Sequence, residues 1–113
     1  MLCSKFESHV KLRAQAYDPA VHGIPAEIYG ALGMAGEAGE LVGKVKKLWR
    51  DDGGRKTKER STDILSELGD VLWYLTYTAN AMGFSLADVM NFNVQKLNDR
   101  AARGVQKGDG DHR

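Results

Sequence analysis

The 113-residue chain is poor in the features that mark secreted, membrane-spanning and nucleic-acid-coating proteins: one cysteine, two prolines, and a formal net charge of only +1. Cys3 alone cannot close an intrachain disulfide, and a lone thiol suits a reducing compartment, so a cytoplasmic protein is expected. Sixteen Lys and Arg balance fifteen Asp and Glu, leaving no global field to draw the chain onto a nucleic acid polymer or an anionic membrane. No stretch approaches the roughly 18 apolar residues that a spanning helix needs. The start carries Lys5, Glu7 and His9 where a signal peptide would have an apolar core. A glycine-rich phosphate loop ending in Lys and Ser or Thr is also missing, which excludes a P-loop enzyme.

What remains is helical. Pro, Gly and Asp-Gly breakers divide the sequence into four stretches without strand alternation or internal repeat, as in an all-α, four-helix-bundle-type domain spanning 1–113. The first covers about Ser4 to Tyr17 and stops at Asp18-Pro19, since the residue before proline is pushed out of the helical region. The second covers about Ala26 to Trp49, with Ile28, Leu32, Ala35, Val42, Val45 and Trp49 as inward candidates. A charged segment over about 51–60 lacks an apolar anchor and reads as an exposed, mobile connection. The third stretch, about Ser61 to Met82, places Leu65, Leu68, Leu72, Leu75, Ala79 and Met82 on one face, the expected core face. Ser85 with Asp88 forms a near-capping box that opens a fourth helix, which runs to about Ala102. A polar tail occupies about 104–113. A core this small calls for completion by homo-oligomerisation.

Two acidic pairs carry the chemistry. Glu37 and Glu40, and again Glu67 and Asp70, are three residues apart and therefore project from one side of their helices. A solvated face would explain either pair alone. The stripe through Glu67 and Asp70, however, continues as Tyr74 and Tyr77 with Trp73 at its edge, more aromatic surface than water-facing stripes carry. Carboxylates lining a pocket or subunit interface repel one another unless a cation joins them, and Mg²⁺, or Mn²⁺, takes such oxygen ligands. The small residues around Glu37, Gly36 and Gly39, suggest close helix approach there.

Cations lie nearby in pattern. Lys44 and Lys47 fall seven and ten residues after Glu37, on its side of the helix, and Asn93, Lys96, Arg100 and Arg103 make a second stripe. Surface charge would explain each stripe taken alone. An anionic ligand such as a triphosphate, bridging metal and cations, would explain both.

The runs Gly36-Glu37-Ala38-Gly39-Glu40-Leu41, Glu67-Leu68-Gly69-Asp70-Val71-Leu72-Trp73-Tyr74-Leu75 and Asn93-Val94-Gln95-Lys96-Leu97-Asn98-Asp99-Arg100 resemble the MazG-like nucleotide pyrophosphohydrolases of the all-α NTP pyrophosphohydrolase superfamily. The ending Gly110-Asp111-His112-Arg113 is similar to that of a MazG-like subgroup. The resemblance implies Mg²⁺-dependent hydrolysis of a (deoxy)nucleoside triphosphate to monophosphate and pyrophosphate, as in nucleotide-pool house-cleaning, by a homodimer or a dimer of dimers. It implies that Glu37, Glu40, Glu67 and Asp70 hold the metal, with Glu37 or Glu40 orienting or deprotonating the attacking water. Asn93, Lys96 and Arg100 would meet phosphate or sugar; Lys47, Arg103 and Tyr74 are further substrate candidates. Where many relatives carry Tyr-Gln in the first helix, this chain has His9-Val10.

Two other classes fit parts of the pattern. A di-metal carboxylate oxidoreductase wants Glu-x-x-His on two helices, and neither Glu37 nor Glu67 has that His. A non-catalytic dimerisation or adaptor module would pair the acidic and basic stripes across subunits without metal.

Overall fold

A computed structural model describes residues 1–17, 19–105, 108 and 110, with backbone alone for 20 and 21. The expected stop at Asp18 and most of the polar tail, including Asp111, His112 and Arg113, lie outside the described residues. Four long helices and one single-turn helix follow in order: α1 (Cys3–Ala14), α2 (Pro19–His22), α3 (Ala26–Asp52), α4 (Lys58–Ala81) and α5 (Leu86–Arg103). No strand occurs among the described residues, so the all-α expectation holds.

The centre of the fold is a long hairpin of α3 against α4, with α1 packed on α4 and α5 and with α5 against α4. Three ends are visible in the sequence. Gly53 and Gly104 take the left-handed conformation that closes α3 and α5. The Ser85 hydroxyl accepts from the Asp88 amide at 3.0 Å while the Asp88 carboxylate accepts from the Ser85 amide at 2.9 Å, a complete capping box. Glu7 of α1 ties the open end together, because its carboxylate accepts from the Leu86 amide at 2.6 Å and from Asn80 Nδ2 at 2.9 Å.

The expected connection over 51–60 is shorter. Helix continues on both sides and leaves only residues 53–57 between α3 and α4. It is held by Arg60, which bridges back to Asp52 and Asp51, and by Thr57, whose hydroxyl accepts from the Arg60 amide.

The larger difference is which faces are buried. The stripe expected to form the chain's own core is largely exposed, with Leu65 at 69%, Leu68 at 48% and Met82 at 57%. Ile28, Leu32, Val42 and Trp49 of α3 are exposed too. Instead, the acid-aromatic side of α4 packs into the hairpin, where Tyr77 is buried and Tyr17, Tyr29, Trp73 and Tyr74 form a continuous ring cluster. Tyr29 stacks on Tyr17 at 4.0 Å and meets Tyr77 edge-on at 5.9 Å, arrangements that aromatic quadrupoles favour.

Close approach is made by glycines, at other positions than expected. A Cβ at Gly30 would meet Thr78 Oγ1 at 2.3 Å, whereas Gly36 and Gly39 have open space around them. The chain is extended, with a Cα radius of gyration of 17.1 Å. A compact domain of this length would have about 13 Å.

Candidate functional site

The hairpin brings three of the four expected carboxylates together. Glu37 on α3 faces Glu67 and Asp70 on α4, and one oxygen from each lies within 4.8 Å of the others. Glu40, one turn further along α3, is exposed and outside this group. The placement follows from the packing just described. Gly30, Gly33 and Glu37 share one side of α3, at steps of three and four, so the glycines that admit the rings also set Glu37 against Glu67.

The electrostatics are those of a site short of positive charge. The Glu37 carboxyl is held above its ordinary value, first by loss of solvation, then by its hydrogen bond to Glu67, then by the charges of Asp70, Glu67 and Glu40. Glu67 Oε2 is buried without a hydrogen-bond partner among the described residues. A buried carboxylate oxygen without a partner costs free energy in proportion to its charge, and a cation between the three acids would remove both penalties. The donor set is all oxygen, which suits a hard divalent cation. The residues therefore fit such an ion.

Tyr74 borders the cluster. Its ring lies over Gly33, and its phenol is pushed up to about 12 by a hydrogen bond with Tyr29, by burial, and by the charges of Tyr29, Glu37 and Asp70. It is therefore a neutral hydroxyl beside the acids at any physiological pH.

The cationic candidates do not all converge there. Lys44 and Lys47 are half-buried along α3, and Lys47 lies close enough to Asp51 to help lower its carboxyl. Asn93 on α5 lines a hollow with Leu72, Leu75 and Leu86, on the leucine side of α4. Lys96 is half-buried one turn beyond it. Arg100 is 4% exposed, so its guanidinium is not displayed on the surface of the chain. Arg103 pairs with Asp99 at 2.8 Å. Trp73 stacks on Tyr77 at 5.5 Å, and Trp49 lies exposed over Gly54. In α1, Val10 is buried and His9 exposed.

Tyr29 and the Gly30 and Gly33 pair were missed as elements of the site. Their signal was present, because Gly30 and Gly33 precede Glu37 at seven and four residues and so share its face.

Comparison with known proteins places residues 30–105 in a match to the family description "MazG nucleotide pyrophosphohydrolase domain". The chain is also 46% identical over 85 residues to "Gene 37 protein" of Mycobacterium phage L5, an alignment covering 75% of each. No solved structure gives a significant match.

Proposed function

Because the chain belongs to the MazG nucleotide pyrophosphohydrolase family, we propose that it hydrolyses a (deoxy)nucleoside triphosphate to the monophosphate and pyrophosphate with Mg²⁺, Mn²⁺ substituting. The observation that carries the reading is the Glu37, Glu67 and Asp70 cluster with its unpartnered Glu67 oxygen. These three carboxylates would hold the ion. When bound it supplies charge neutralisation for the polyphosphate and Lewis acidity at the α-phosphate.

The chain's own groups do the rest. Exposed Glu40, one turn from Glu37, would take a proton from the attacking water as it adds to the α-phosphorus and the bond to the β-phosphate breaks. Lys47, Asn93, Lys96, Arg100 and Arg103 are the candidates for phosphate charge and sugar. Tyr74, kept neutral, offers a hydrogen bond beside the cluster. That chemistry suits a house-cleaning role in the nucleotide pool.

The exposed leucine face of α4 favours a homodimer or a dimer of dimers, since contiguous apolar surface on this scale marks an interaction site. No helix among the described residues is long and apolar enough to cross a membrane. The whole of 1–113 is taken as one such domain.

The test is a panel of NTPs and dNTPs with Mg²⁺, assayed separately for pyrophosphate and orthophosphate. Pyrophosphate release that is lost in Glu67→Gln and Asp70→Asn supports the proposal. Folded protein that turns over no triphosphate with either metal, and whose melting temperature neither metal raises, refutes it.

A further inference from the structure

The carboxylate cluster is one end of a longer run of matched contacts along the hairpin. On α3, Tyr29, Gly33 and Glu37 follow one another at four-residue steps and so share a side. On α4, Asp70, Tyr74 and Tyr77 do the same at steps of four and three. Glu37 meets Glu67 and Asp70, Gly33 takes the Tyr74 ring, and Tyr29 meets Tyr77 edge-on at 5.9 Å. Tyr29 also reaches Tyr74, with ring centroids 6.1 Å apart and the two phenols hydrogen-bonded.

The half-buried Tyr29 ring is fixed from the other direction by the connection between α1 and α3. Tyr17 stacks on it at 4.0 Å, His22 stacks on Tyr17 in turn at 4.8 Å, and the Tyr17 hydroxyl donates to the Ile24 carbonyl at 2.8 Å. A phenylalanine would make the same stack, so packing does not account for the Tyr29 hydroxyl. Its partner does. A phenol both donates and accepts, whereas an ionised carboxylate only accepts. With one of these functions taken by Tyr29, the Tyr74 hydroxyl keeps another to offer to the site, where it lies near enough to Glu37 and Asp70 to feel their charge.

We infer that Tyr29 is a positioning residue for the cation site: its hydroxyl fixes the Tyr74 phenol beside Glu37 and Asp70, and through it sets how tightly the three carboxylates hold a divalent cation. The inference rests on the pyrophosphohydrolase reading for the presence of the ion, and on the matched steps of α3 and α4 for the role of Tyr29. Carboxylate ligands depend on hydrogen bonds from outside the coordination shell, and losing such a partner typically weakens metal binding about 10–100-fold.

Mn²⁺ titration of the full chain, followed by electron paramagnetic resonance of the free ion, reads this without turnover. Tyr29→Phe keeps the ring stack and removes one oxygen, so it should fold like the parent and bind Mn²⁺ about 10–100-fold more weakly. Tyr74→Phe should lose a similar amount, and the double variant little more than either, because the two hydroxyls act as one unit. Tyr77→Phe is the packing control: its buried ring meets those of Tyr29 and Trp73, and its Mn²⁺ binding should match the parent's. If Tyr29→Phe binds as tightly as the parent, or loses just as much when Tyr74 already lacks its hydroxyl, the proposal is overturned and the pyrophosphohydrolase reading stands. A parent that binds neither Mn²⁺ nor Mg²⁺ overturns both. Coupled losses in a protein that turns over no triphosphate retain the positioning role and reject the reaction.

Discussion

Gly33 of α3 lies directly under the Tyr74 ring of α4, so close that a Cβ at position 33 would come to 2.2 Å from the ring edge. The Tyr74 ring edge meets the α3 backbone there, and only the absence of a side chain at Gly33 allows it. The contact joins packing to chemistry, because Tyr74 meets the rings of Tyr29 and Trp73 and also lies near enough to Glu37 and Asp70 to feel their charge.

Gly33→Ala should therefore cost stability although alanine is the better helix former. The ring has no clear retreat past Tyr29 and Trp73, and overpacking of this kind costs about 1–3 kcal/mol. Gly36→Ala is the control: nothing lies within 4 Å of a Cβ there, so the gain in helix propensity, about 0.5–1 kcal/mol, should appear undiminished. Chemical denaturation of both variants checks the pair. Equal effects would remove the close contact from the account.

The acidic pairs were legible in the sequence because three-residue spacing fixes direction on a helix. It put Glu37, Glu67 and Asp70 on coherent sides, and the structure joins them. The burial of the two faces was not legible. Leu65, Leu68 and Leu72 read as core by any transfer scale, yet periodicity reports only that a face is apolar and not whether the same chain covers it. Tyr77 is buried and Leu65 is exposed because ring packing against Gly30 and Gly33 selects the hairpin. The break before α4 reads as longer in the sequence because its charges look solvated, whereas Arg50 and Arg60 pair with Asp51 and Asp52.

Glu37 should make the metal-free protein lose stability as pH rises. Its folded carboxyl sits above the ordinary 4.5, so folding favours the protonated form. That contribution is complete below the unfolded value and disappears as pH passes upward through the folded one. The difference in melting temperature between the parent and Glu37→Gln, measured in EDTA, should thus move against the parent from pH 4.5 upward. Mg²⁺ should narrow the gap, since binding uses the ionised form and stabilises by mass action. A difference independent of pH would sink the assignment.

Glu7 behaves in the opposite sense. Hydrogen bonds from Asn80 and Leu86 hold its carboxyl below the ordinary 4.5, so its stabilisation is full above that value and is lost as pH falls through the folded one. Glu7→Ala leaves the Leu86 amide without its side-chain acceptor, and Asn80 Nδ2 with only the Phe84 carbonyl, at the junction of α1, α4 and α5. A loss of about 1–3 kcal/mol near neutral pH is expected, shrinking in acid. Glu7→Gln keeps a carbonyl acceptor and should lose less. Faster amide exchange at Leu86 in the alanine variant would locate the damage at the start of α5.

The leucine face offers the sharpest contrast between an exposed stripe and an interface. On a lone chain, replacing a side chain as exposed as Leu65 or Leu68 with glutamate changes few contacts, and surface substitutions of this kind usually move stability by less than about 0.5 kcal/mol. Across a subunit contact the same change puts uncompensated charge into apolar surroundings, which real interfaces do not tolerate at their centre. The double variant Leu65→Glu, Leu68→Glu should therefore run as a monomer in light scattering, and its melting temperature should not rise with protein concentration, whereas the parent's should. It should keep its helical content, because the α3–α4 hairpin that joins the carboxylates lies within one chain. A variant that stays associated would leave the leucine face without a partner.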